Sequence, residues 1–195
     1  MQDFLQEIGK YNIRKAKPDP ARSALLVVDM QEYFRPVALS VADNISHVLA
    51  ACRSRSVPVF YTRHGHKDIT ADGGMIYEWW GQSVTYGADE WRIMPEVAPK
   101  HGDTVLDKRR YSAFRGTGLD GMLQELGITE LIVTGVLTNC CCENTAREAF
   151  DLDYRVFFAS DATAAVNEEL HLSTLRNLAF GFAFVQSSRQ LAKAL

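Results

Sequence analysis

Apolar residues in this chain fall into short unbroken runs separated by stretches of helical period, and that alternation predicts its architecture. Ala24-Leu25-Leu26-Val27-Val28 is a continuous apolar run that closes on a carboxylate, Asp29. A run without polar alternation predicts a strand buried on both faces, as in a parallel sheet. Val41, Ile45, Val48, Leu49 and Cys52 repeat at helical spacing, which predicts a helix over 41–56 with one apolar face. Further strands are expected over 57–62, 104–106, 130–136, 155–159 and 183–186. Helices are expected over 119–126, stopped by Gly127, and over 139–150, 168–178 and 188–195. The segment leading to Pro18-Asp19-Pro20 reads as a short amphipathic helix and a turn. From 63 to 101 the periodicity fades into a stretch rich in glycine and aromatics. A connection that long predicts a lid or pocket wall.

Six short strands alternating with helices predict the α/β class: a three-layer α-β-α arrangement around a six-stranded, mostly parallel sheet. The 195 residues suit one domain spanning 1–195. The net charge of −3, with no basic block, leaves no electrostatic footprint for nucleic acid or a membrane surface. No apolar run reaches the length of a transmembrane span, and the polar, acidic start is unlike a secretory signal. The four cysteines are Cys52 and the triplet 140–142. Three neighbours cannot staple distant loops, so a reducing, cytoplasmic setting is expected. Their spacing fits no zinc site.

In such sheets ligands bind beyond the carboxyl ends of the strands. Three chemically capable features fall there: Asp29 after the first strand, Lys108 after the third, and the cysteine triplet after the fourth. A thiol at a helix N-terminus is expected to have a lowered pKa and to serve as a nucleophile. It needs a base, for which Asp29 is placed, and Lys108 supplies a cation that holds the base. No histidine stands at a predicted strand end, which disfavours a Cys-His pair. Cys140, Cys141 and Cys142 step by about 100° each on a helix, so one of them is expected to face the cleft. Spacing does not say which. Backbone N–H groups in the turn from Val136 to Cys141 are placed to form an oxyanion hole.

Val27-Val28-Asp29-Met30-Gln31 with a following Phe34, Lys108 after a strand, and Gly135-Val136-x-Thr-Asn-x-Cys141-x-x-x-Thr145-Ala146 resemble the isochorismatase-like cysteine hydrolases over nearly the whole chain. The resemblance is strongest to the plant-type nicotinamidase group. It rests there on Thr62-Arg63-His64-x-His66-Lys67, Glu78-Trp79-Trp80, the run from Tyr111 to Thr117, and Asn167-Glu168-Glu169-Leu170-His171. It implies an amidase with Asp29 as general base, Lys108 as supporting cation and Cys141 as nucleophile forming a thioester. It also implies a non-proline cis peptide at Val136–Leu137, an oxyanion hole from the N–H groups of Leu137 and Cys141, and Cys140 and Cys142 as small packing residues. Substrate contacts are expected from Phe34, Arg63, His64, Trp79, Trp80, Tyr111, Phe114 and Val136. Metal-dependent nicotinamidases carry Asp-x-His where this chain reads His64-Gly65-His66. The carboxylate is missing, so neither a metal nor any other cofactor is expected. The expected partners are a small-molecule substrate and further copies of the chain, as a dimer or larger, with no nucleic acid and no membrane.

Two rival readings remain. An isochorismatase-type vinyl-ether hydrolase would release pyruvate and pair its substrate's carboxylates with Arg63, Arg109 or Arg115. A thiol sensor would use Cys140 and Cys142 without turnover.

Overall fold

The computed structural model describes residues 4–195; Met1 to Asp3 of the acidic start lie outside the described residues. Six strands form one sheet: β1 (Ser23–Val28), β2 (Val59–His64), β3 (Thr104–Lys108), β4 (Glu130–Val136), β5 (Arg155–Ala164) and β6 (Ala183–Gln186). Their order is β3-β2-β1-β4-β5-β6, and every pairing is parallel. The order reverses direction between β1 and β4, which makes the cleft above those two strands the topological switch point.

All six residues of β1 and all seven of β4 are buried, as the unbroken apolar runs require. Alternate residues of β1 feed two cores. Ala24, Leu26 and Val28 pack with the helices Leu119–Glu125, Glu143–Asp151 and Glu168–Gly181. Leu25 and Val27 pack with Ala42–Ser54 and Ser188–Ala194 on the other face. The layers are therefore α-β-α.

The strands run further than their apolar stretches. β2 continues through Arg63 and His64, β3 through Asp107 and Lys108, and β5 through Ser160-Asp161-Ala162-Thr163. Each extension carries polar side chains that find partners at the sheet's end, so hydrophobicity does not mark it. The stretch from 63 to 101 is not featureless either. It holds the helices Ile69–Asp72 and Met75–Trp80 and the single turns Asp89–Trp91 and Pro95–Val97. At four to six residues the two helices are too short for a periodic signature.

Gly135 lies opposite Val28 in the β1–β4 register, at φ +113° and at the point where β4 shifts register against β5. A side chain there would run into the Val28 backbone, so only glycine lets the two strands approach where their ends form the site.

Candidate active site

Asp29 follows β1 directly and is fully buried. Its backbone takes φ +49°, a left-handed conformation unusual for a residue with a side chain. Such strain persists only where surroundings fix it, and clusters at functional sites. Here Thr62 does the fixing: Asp29 N–H donates to Thr62 O, and Thr62 Oγ1 donates to Asp29 Oδ1 at 2.7 Å. The other carboxylate oxygen, Oδ2, lies 2.7 Å from Lys108 Nζ. Oδ2 accepts no well-aligned hydrogen bond, so this contact is chiefly an ion pair.

Lys108, the last residue of β3, is 2% exposed despite the flanking Arg109 and Arg110. Its Nζ donates to Arg110 O at 2.9 Å and to Cys141 Sγ at 3.4 Å. Burial works against its charge, but Asp29 and then Cys141 outweigh it and hold the pKa above 10.5. The ammonium is thus present throughout the neutral range. Asp29, Lys108 and Cys141 meet although 112 residues separate the first from the last.

Cys141 sits in a turn wider than an α-helix. Cys142 N–H donates to Leu137 O, five residues back, at 3.2 Å, and the regular helix begins only at Glu143. π-type turns of this kind recur at functional sites. The expected cis peptide is present at Val136–Leu137.

Two expectations fail here. The Cys141 thiol is not acidified: burial pushes its pKa well above 9, Lys108 opposes this, and the negative charge of Asp29 adds to it. In a dry site desolvation of a thiolate outweighs one cation and a helix end. The sulfur therefore rests as a thiol. Nor does only one cysteine face the cleft. Cys140 and Cys141 both line it, because the widened turn breaks the 100° step, while Cys142 is fully buried with Sγ directed at Thr134 O.

The cavity over Cys141 encloses about 300 Å³, at the small end for ligand sites. Of the expected contact residues, Phe34, His64, Trp80 and Tyr111 line it, as does Leu137, expected for the oxyanion hole. Trp80 Nε1 donates to Tyr111 Oη at 2.7 Å, tying the short helix to the wall. Four others lie elsewhere. Arg63 pairs with Asp107 at 2.8 Å and stacks on Trp91, 3.7 Å from its ring centre, because it alternates with His64 along β2. Trp79 turns into a neighbouring hollow with Arg110 and Arg115. Phe114 and Val136 are core residues. Tyr33, Val37, Ile76, Ser83 and Val166 also line the cavity and carry no sequence signal of it. A larger hollow of about 920 Å³ beside β6 holds Lys15, Lys17 and Lys193 but neither a nucleophile nor a buried charge.

His64 stands at a strand end beside Lys108, a position missed because β2 was expected to stop at Thr62. No Cys-His pair results, because its Nε2 contacts Ser83 Oγ at 3.0 Å. His66 Nδ1 contacts Asp72 at 2.8 Å. The two imidazoles do not amount to a metal centre: among the described residues no three His, Cys, Asp or Glu side chains are grouped to hold an ion. His171, also buried, donates from Nε2 to Ser160 O and so accepts from Thr138 Oγ1, which anchors the start of the turn that carries Cys141.

Burial, and then Lys108, pushes His64 down from 6.5 to about 4, and burial lowers His171 too. The folded protein keeps His64 neutral between those limits, while the unfolded chain protonates it. Stability is fully present above about pH 6.5 and falls as pH drops through that window, by about 3 kcal/mol for a shift of this size. Urea midpoints at about pH 7 and pH 4.5 are expected to show the fall, and His64→Leu to flatten it. An equal slope in both proteins would contradict the assignment.

The comparisons agree with this fold. Residues 23–190 match the family model described as Isochorismatase domain. Nicotinamidase 3 of Arabidopsis thaliana is 46% identical over 189 residues, covering 95% of each chain. Isochorismatase of Bacillus subtilis (strain 168) is 36% identical and covers 91% of this chain but 59% of its own length. A solved cysteine hydrolase from Pseudomonas syringae pv. phaseolicola 1448A superposes with a TM-score of 0.87 at 28% identity, covering 93% of this chain and 97% of its own. No helix among the described residues is long and apolar enough to cross a membrane. With an all-parallel six-stranded sheet of this order and a family match over most of its length, the chain belongs to the isochorismatase family and is a hydrolase.

Proposed function

We propose that this hydrolase cleaves a small carboxamide, nicotinamide being the first candidate, through a thioester on Cys141. The observation that carries the reading is the contact chain Thr62–Asp29–Lys108–Cys141 on the floor of a small cavity. Asp29 takes the Cys141 proton as sulfur attacks the carbonyl carbon, so a free thiolate never has to accumulate in a site that disfavours it. Lys108 balances the negative charge as it moves between carboxylate and sulfur. The N–H groups of Leu137 and Cys141 hold the developing oxyanion. Asp29 then protonates the departing nitrogen, ammonia leaves, and the acyl group remains on sulfur. Water, giving its proton to Asp29, attacks the thioester and releases the acid, and the proton returns to sulfur.

The cavity lining supports a neutral amide over the vinyl-ether reading, because no Arg or Lys is among the lining residues. A substrate carrying carboxylates would find no counter-charge there. Arg63 is engaged by Asp107, while Arg109 and Arg115 line a separate hollow with Lys67. The four free cysteines fit a cytoplasmic setting.

The test is product release by the purified protein. Ammonia from nicotinamide or benzamide, with no pyruvate from isochorismate, is the expected result. Pyruvate from isochorismate without ammonia from any amide would overturn the reading.

A further inference from the structure

Resting on the amidase reading, we infer that Ser83, held by His64, recognises a hydrogen-bond acceptor on the ring of the substrate, so that the preferred substrates are heteroaromatic carboxamides. The cavity wall is otherwise apolar or aromatic, with Phe34, Val37, Ile76, Leu137 and Val166 around it. A flat ring fits such a wall but has nothing there to fix its orientation. The polar lining groups are few. Cys141 is committed to the chemistry, and Tyr111 Oη accepts from Trp80 Nε1. Gln82 is exposed to solvent. His64 is the buried polar member apart from the thiol, 5% exposed, and it contacts Ser83 Oγ at 3.0 Å.

The backbone fixes His64 firmly. Gln31 Oε1 accepts from His64 N–H at 2.7 Å and Gln31 Nε2 donates to His64 O at 2.9 Å, so one buried amide clamps both sides of the residue. The imidazole stays neutral throughout the physiological range. With the proton on Nε2, His64 donates to Ser83 Oγ, and the serine hydrogen is then free to point into the cavity. A pyridine nitrogen is an acceptor with no hydrogen of its own and is a match for that O–H. An all-carbon ring leaves the hydroxyl unpaired in an apolar wall, and unpaired buried groups are what give polar sites their discrimination. No metal ion is needed for this recognition, which agrees with the poor donor set at His64 and His66.

Nicotinamide and benzamide have the same shape and differ at one ring atom, so they isolate the contact. The wild-type protein is expected to prefer nicotinamide in kcat/KM by about a hundredfold or more. Ser83→Ala is expected to cut that ratio at least tenfold, with the change carried mainly by KM for nicotinamide. Ser83→Thr, which keeps the hydroxyl, is expected to retain a larger part of the ratio than alanine does. Ammonia from both amides in the same ratio for wild type and Ser83→Ala would overturn the ring-acceptor inference while leaving the amidase standing. Ammonia from neither amide would overturn the amidase reading and this inference with it.

Discussion

Cys141→Ala is expected to lower amide turnover by at least about ten-thousandfold, while Cys140→Ala stays within about tenfold of wild type. The two sulfurs line one cavity, so exposure does not separate them. Partners do. Cys141 touches Lys108, which is paired with Asp29, whereas burial and then Glu143, a like charge, raise the pKa of Cys140. Only Cys141 has somewhere to send its proton. Steady-state ammonia release from the two variants decides it, and loss of turnover in Cys140→Ala with full activity in Cys141→Ala would exchange their roles. The raised thiol pKa has a second readout. Iodoacetamide needs a thiolate, so its labelling of Cys141 at neutral pH is expected to be slow even where turnover is fast, and to accelerate only well above pH 9. Rapid labelling near pH 7 would mean that sulfur rests as the anion.

Gly135→Ala is expected to destabilise the fold by about 4 kcal/mol and to cost catalysis at least about a hundredfold in the molecules that still fold. The added methyl would run into Val28 O and lie 2.6 Å from Val28 N, and the backbone φ of +113° is itself poorly tolerated by alanine. Relief requires β1 and β4 to separate. Val28 is the residue before Asp29, so the movement displaces the base from Thr62 and Lys108. Urea denaturation and ammonia release measure the two effects. A loss below about 1 kcal/mol with normal turnover would show that the strands can shift without cost.

Much of this was legible in the chain, and what was not has identifiable physical causes. The run from Ala24 to Val28 predicts a doubly covered strand because nothing polar interrupts it, and the carboxylate at its end stands out for the same reason. Lys108 is harder: beside Arg109 and Arg110 it looks solvated, and only the sheet's register shows it buried next to Asp29. His64 was expected near the substrate, but its place at the end of β2 was hidden because polar residues at a strand end look like loop. The pairing of both Cys140 and Cys141 with the cavity was hidden because a 3.6-residue period does not anticipate a five-residue hydrogen bond. The cavity wall was least legible. Tyr33, Ile76, Ser83 and Val166 come from three separate connections, and no local pattern records which connections converge. Their only shared signal is that each follows the carboxyl end of a strand.

The order of the strands has one more consequence. Asp29 and Lys108 both precede the exposed turn at Gly116 and Gly118, and Cys141 follows it. Neither stretch of chain on its own holds a complete set of reacting groups, because base and cation lie on one side and sulfur on the other. A single cut in that turn would divide the chemistry cleanly between two inert pieces, and ammonia would then appear only as those pieces found each other, making the enzyme a reporter of its own reassembly.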